Sequence, residues 1–116
     1  MNHVHKHQTP EMDACIHACE AAHDALLHGV HDCLKKGGRH ADAGHIGIML
    51  DCAQICHTAH DFMLRHSSQH GAICHACEHI CEACAKSCET LGDQDLAALC
   101  KKCAAACHVC HTADNH

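Results

Sequence analysis

The sequence predicts an all-α protein, an antiparallel four-helix bundle with a cysteine-lined core. Three observations predict it. Cysteines fall at 74, 77, 81, 84 and 88 and again at 100, 103, 107 and 110, steps of three and four that keep each run on one helix face. Two earlier segments carry Cys15/Cys19 and Cys52/Cys56 at the same kind of spacing. Short connections separate the four segments, which makes sequential helices antiparallel neighbours. A core-facing stripe is ordinarily Leu, Ile and Val. Here it is sulfur.

Residues 1–8 read as a flexible His-rich tail with His3, His5 and His7, and residues 9–116 as a single bundle domain. Thr9-Pro10-Glu11 is a helix start, with Thr9 as N-cap and Pro10 at the first helical position. The first helix is expected from Pro10 to about Lys36. It places Met12, Cys15, Cys19, Ala22, Leu26 and Cys33 inward and stops at Gly37-Gly38. The second is expected from about Ala41 to His66, with Met49, Cys52, Cys56, His60 and Met63 on one face. It echoes the first, because Met12, Cys15, Cys19, His23 and Asp24 recur as Met49, Cys52, Cys56, His60 and Asp61 at an offset of 37. Ser67 and Ser68 offer a break and a cap. The third helix is expected from His70 to Leu91, stopped by Gly92, and the fourth from about Gln94 to Ala113 behind Asp93. Ile48, Ile55, Phe62, Ile73, Ile80 and Leu99 form the dry edges of the inward face.

Reflecting each helix about its turn sets the register. Cys81 then lies level with Cys56 and Cys103, and Cys84 with Cys52 and Cys100. Cys74 and Cys77 sit near Met63, His60, Cys107 and Cys110, with Cys15 and Cys19 facing the same half. Cys33 stands apart near the other end, with His45. The run from Cys74 to Cys88 extends about 21 Å at 1.5 Å per residue, so the sulfurs meet along the axis rather than at one spot.

The chain has 116 residues, one Phe, no Tyr and no Trp, so fourteen Cys and eighteen His take over much of an ordinary core's share. A net charge of −6 without a Lys/Arg cluster argues against nucleic acid. The longest apolar stretch, about Ile46 to Leu50, is far short of a membrane span. No apolar leader or twin arginine opens the sequence, which points to the cytoplasm. Residues three or four apart on a helix hold their Cβ atoms about 5–6 Å apart, against about 3.8 Å in a disulfide. Reduced thiols follow.

Soft thiolates select Cu(I), Zn(II), cadmium-like ions or Fe–S clusters. One Cu(I) per deprotonated thiol makes a neutral unit, and many such units can be buried together. Several tetrathiolate Zn(II) sites, each at net −2, would carry a heavy desolvation cost. Structural zinc also wants four ligands converging as a tetrahedron, whereas pairs on one helix face suit bridging or near-linear metal. A zinc or cadmium thiolate buffer is the alternative. An Fe–S carrier fits less well, because no Pro follows Cys84 or Cys110 and the run is helical rather than looped. Only Glu20-Ala-Ala-His23 matches the Glu-x-x-His of a di-iron bundle. No nucleophile elbow, phosphate loop or Rossmann fingerprint is present, so no enzyme activity is expected.

The CxxxC pairs Cys15/Cys19 and Cys52/Cys56 and the CxxC units Cys74/Cys77, Cys81/Cys84, Cys100/Cys103 and Cys107/Cys110 resemble the bacterial copper storage proteins. The resemblance covers Thr9 to Ala113. It implies a cysteine-lined bundle that reversibly stores many Cu(I) ions, of the cytosolic branch, in a homo-oligomer that is tetrameric in this family. Copper ions, copper chaperones and copper-dependent enzymes are the partners it implies. Metal ligands are expected at all fourteen cysteines, Cys88 and the isolated Cys33 included.

The histidines divide into sets. His17, His57, His75, His79 and His108 fall off the inward stripe and read as solvated surface. Met12, Met63, His60, His66, His70 and His111 gather at one end, beside the tail. Imidazole and thioether both ligate copper, so this end reads as an uptake mouth, with His23 and Met49 as further accessory ligands. Met1-Asn2-His3 places an imidazole third after a free amine, the pattern of an amino-terminal square-planar Cu(II)/Ni(II) chelate.

Overall fold

A computed structural model describes residues 9–113. The tail with Met1 and His3 lies outside the described residues. Helix α1 spans Pro10–Lys36, α2 Ala43–Leu64, α3 His70–Thr90 and α4 Gln94–Ala113. The helices pack in a ring, α1 on α2, α2 on α3, α3 on α4 and α4 on α1. Cross-helix pairs show the antiparallel register. Cys15 meets Cys107 while Cys19 meets Cys103, and Cys33 meets His45 while Glu20 meets His60.

Local chemistry sets each boundary. Thr9 accepts from the Met12 amide at 3.1 Å through its hydroxyl, and Glu11 and Asp13 face the positive end of the helix dipole. Lys35 and Lys36 sit in the last turn of α1, and Gly37 follows at φ 71°. The chain then makes a 3-10 turn over Gly38–Ala41, so α2 starts at Ala43, two residues later than its sequence predicts. The glycine pair permits this tight turn, and Gly38 also takes a positive φ.

The end of α2 corrects the sequence expectation. The helix stops at Leu64, and His66 takes the left-handed conformation at φ 55°. The Ser67 amide donates to the Phe62 carbonyl at 3.0 Å and the His66 amide to Met63 at 3.1 Å, closing a Schellman motif. Gly92 does the same after α3, with Asp93 donating to Cys88 at 2.9 Å and Gly92 to Glu89 at 3.0 Å. Ser67 and Ser68 do not cap α3. The Ser67 hydroxyl accepts from the Gln69 amide inside the turn, and Gln69 is the cap residue, without a side-chain capping bond.

Cysteine and alanine fill the interior. Beside the sulfurs, the buried apolar positions are Ile16, Ala22, Leu26, Ala53, Ala59, Ala85, Leu96, Ala97, Ala104 and the thioethers of Met12, Met49 and Met63. Ile48, Ile55, Ile73 and Ile80 line the core as partly buried edges, and Phe62 and Leu99 are partly buried too. Gly29 sits where α1 meets Leu96 and Met49. A Cβ there would come within 2.9 Å of both side chains. Among the described residues no helix is long and apolar enough to cross a membrane.

Candidate metal centre

The sulfurs form a continuous column. All fourteen cysteines are buried and none is in a disulfide. At one end Cys15, Cys74 and Cys110 converge, and the Cys110 thiol reaches the Met63 thioether at 3.9 Å. Cys15, Cys19 and Cys107 form the next group, with Cys15–Cys107 at 3.4 Å and Cys19–Cys107 at 3.8 Å. Four thiols then meet, Cys19, Cys56, Cys77 and Cys103, followed by Cys52, Cys56 and Cys81 and by Cys52, Cys84 and Cys100. The hydrogen bond that lowers the Cys88 thiol comes from Cys84, so the column continues one turn further along α3.

Membership overlaps. Cys15, Cys19, Cys52 and Cys56 each belong to at least two groups. A metal bound at about 2.3 Å to each sulfur holds two sulfurs about 3.8–4.0 Å apart in tetrahedral or trigonal geometry. Cys56 lies at 3.8 Å from Cys77 and 3.7 Å from both Cys81 and Cys103, so these groups need little rearrangement.

Crowding of thiols splits their acidities. The hydrogen bond from Cys107 draws Cys15 down to about 6 against an ordinary 9.0. Cys103 opposes ionisation of Cys77, yet donors from Cys107, Cys19 and Cys56 outweigh it and bring Cys77 to about 2. Cys100 lowers Cys52, and Cys107 lowers Cys103. Their donors move the other way, with Cys19 and Cys81 raised chiefly by Cys103 and Cys84 chiefly by Cys100. Thiolates and protonated thiols therefore share a network. Each thiolate is held by neighbours that keep their protons.

Cys33 is different. Its Sγ lies 3.6 Å from His45 Nε2, and the Nδ1 of that imidazole bonds the Ser87 hydroxyl at 2.7 Å. Burial pushes the Cys33 thiol up and the His45 imidazole down, so both are neutral near pH 7. The sequence register placed Cys33 beside His45, and the two are in contact.

The structure distributes the remaining expected ligands. Met12 and Met63 are buried at the Cys15/Cys74/Cys110 end. Met49 is not at that end. The repeat with offset 37 runs through antiparallel helices, so Met49 falls at the opposite end, packed near Gly29 and Leu96. His60 shares the mouth half but turns outward, its Nε2 at 3.4 Å from Glu20 Oε2, in a groove with His23, Asp24 and His57. His23 donates from Nδ1 to Asp24 at 2.9 Å. His111 lies in the α3–α4 groove and bonds Glu78 at 2.6 Å, with His108 on the other oxygen at 3.0 Å. Burial raises the Glu78 carboxyl, and the His111 and His108 contacts outweigh it and bring it lower. His70 is buried, its Nδ1 donating to the Ser67 carbonyl at 2.9 Å, and His66 is exposed in the turn.

His75 and His79, expected as plain surface, hold their Nε2 atoms 2.9 Å apart, and His75 stacks on His111 at 4.8 Å. The i,i+4 spacing was the available signal.

No curated protein matches the chain in sequence. Among solved structures, the chain is similar to the Nmul_A1745 protein of Nitrosospira multiformis, a crystal structure. It is 38% identical with a TM-score of 0.86 over 89% of this chain and 96% of that one. The model of the copper storage protein family matches residues 2–115. With the thiol column inside a four-helix bundle, that match shows that the chain belongs to the copper storage protein family.

Proposed function

We propose that the core stores copper as Cu(I), one ion for roughly each inward thiolate, and that the ions sit between helices on shared sulfurs. Cys15, Cys19, Cys52, Cys56, Cys74, Cys77, Cys81, Cys84, Cys88, Cys100, Cys103, Cys107 and Cys110 are its ligands. The observation that carries the reading is the overlap of the groups at Cys15, Cys19, Cys52 and Cys56. Isolated tetrathiolate zinc centres do not share ligands in this way. One Cu(I) per thiolate is a neutral unit, so a filled column carries no net charge in a water-free interior.

Thioethers at the Cys15/Cys74/Cys110 end make it the uptake mouth in this reading. Met12 and Met63 are weak, soft ligands next to the first thiols and pass the ion inward to stronger ones. Fourteen thiols outside any disulfide suit a reducing compartment such as the cytoplasm. Leu27, Leu34, Leu50 and Leu64 are 45–54% exposed on α1 and α2, which supports a homo-oligomer built on that face. Copper chaperones and copper-dependent enzymes would be its donors and clients.

Anaerobic titration of the reduced chain with Cu(I) against a competing chelator, with metal analysis after gel filtration, tests the reading. About ten or more Cu(I) per chain are expected, against about three for four-thiolate zinc. Saturation near three, or equal retention of zinc under competition, overturns it.

A further inference from the structure

At the end opposite Met12 and Met63 the thiol column gives way to a different donor set. Cys33 is 1% exposed and His45 6%, and their Sγ and Nε2 atoms face each other at 3.6 Å. The second nitrogen of His45 is fixed by Ser87 at 2.7 Å. With Nδ1–H donated to the Ser87 hydroxyl, the Nε2 lone pair faces Cys33 Sγ, the tautomer that a metal-binding imidazole uses. His40 bears electrostatically on His45, and its own Nδ1 is buried without a hydrogen-bond partner. His45 and Ser87 line a surface pocket of about 300 Å³, with Arg39 and Asp42, that is open to solvent.

We propose that Cys33 and His45 bind one Cu(I) as a thiolate–imidazole site, separate from the thiol column and reached from the other end of the bundle. The inference takes copper as the cargo from the proposed function, but rests on ligands that the column does not use.

Geometry and donor count select the ion. A metal at about 2.3 Å from sulfur and about 2.0 Å from nitrogen holds the two donors about 3.5 Å apart when tetrahedral and about 4.3 Å when linear. The observed 3.6 Å lies within that range, so side-chain adjustment alone fits either angle. The pair presents two donors. Cu(I) is satisfied by two, whereas zinc needs four. Binding exchanges one proton for one ion: the Cys33 S–H bond breaks, an S–Cu bond forms, and the proton leaves to buffer. His45 keeps its Nδ1 bond to Ser87 and donates its Nε2 lone pair. No electron is transferred. The neutral product suits the burial of both residues.

The test uses the reduced, ¹⁵N-labelled full chain, titrated anaerobically with Cu(I) and read by long-range ¹H–¹⁵N correlation of the imidazoles. Thiolate-to-copper absorbance follows the column in parallel. His45 Nε2 is expected to move to a metal-bound position in the native chain and stay in place in Cys33→Ser, which should retain about one Cu(I) fewer at saturation. Circular dichroism checks the fold of the variant. Should Cys33→Ser unfold, His45→Gln replaces it, with the same single-ion loss expected.

A saturated column with His45 Nε2 unmoved overturns the site, as does an equal movement in Cys33→Ser. Movement produced as readily by Zn(II) in competition overturns the assignment to Cu(I). If the column takes up no copper and His45 still moves at one equivalent, the storage reading fails and this site stands.

Discussion

Cys19 and Cys88 occupy the same kind of position on their helices but hold unequal places in the column. Cys19 belongs to at least two sulfur groups and touches Cys15, Cys103 and Cys107. Cys88 follows Cys84 at the far margin. If ions bridge shared sulfurs, Cys19→Ala should lose two or more Cu(I) while Cys88→Ala loses about one. Metal analysis of both variants, loaded alike, decides it, and equal losses would remove the bridging. The acidities make a second claim at this scale. Cys15, Cys52, Cys77, Cys88 and Cys103 have folded values below the unfolded 9.0. Below 9 the unfolded chain binds more protons at these sites, so their stabilisation is present above 9 and falls away as pH drops, for Cys15 down through about 6. The raised thiols, Cys19 among them, act oppositely: their contribution is present below 9 and is lost as pH rises beyond it. Metal-free, reduced protein should therefore be most stable near pH 9 and weaken toward pH 6. Chemical denaturation across that range measures it. A flat profile would show that the thiols titrate independently.

Helix ends are where the sequence and the structure part most. The Thr9-Pro10 start of α1 and the Gly92 stop of α3 were legible, because each residue type has a backbone reason to be there. His66 gave no such signal. A left-handed residue is ordinarily Gly or Asn, and an imidazole at φ 55° is held there by the Schellman bonds of Ser67 and His66 itself. His66→Gly removes that Cβ strain and should stabilise the metal-free bundle by about 1 kcal/mol. Thermal or urea unfolding of the variant is the check, and destabilisation would mean that the imidazole itself holds the turn. Spacing also told which helix face each side chain occupies, which sufficed for Cys56 against Cys81 and for Cys33 against His45. It did not tell which way a flanking side chain leans. His60 and His111 therefore lie near the expected end but pair with Glu20 and Glu78 in separate outer grooves. Met49 recurs from Met12 in the repeat, but α2 runs backwards relative to α1, so it packs near Gly29 and Leu96 instead.

For the whole molecule, the core is built before any ion arrives. Protonated cysteine packs as a small hydrophobe, and Leu26, Ile16, Leu96 and six buried alanines complete the interior around it. The reduced, metal-free chain should therefore give a fully helical far-UV circular dichroism spectrum that changes little on loading. A coil spectrum that becomes helical only with copper would place it among proteins that fold on their metal. The exposed leucines of α1 and α2 make a claim at the same scale. Leu27→Glu with Leu34→Glu should lower the mass found by light scattering while leaving the helix content intact. An unchanged mass would move the contact elsewhere.

The column is sealed from solvent on every side, its sulfurs no more than 3% exposed. An ion that enters is held by sulfurs inside the bundle, so the contour of the outer surface does not record how many have entered. If the helices keep their places on loading, a full molecule and an empty one present the same contour to any protein that meets them. A client cannot choose the full one by its shape; it can only draw copper out, and succeeds where its own ligands hold the ion more tightly than the outermost sulfurs do. In the storage reading proposed above, supply is then metered by the difference in affinity at the ends of the column.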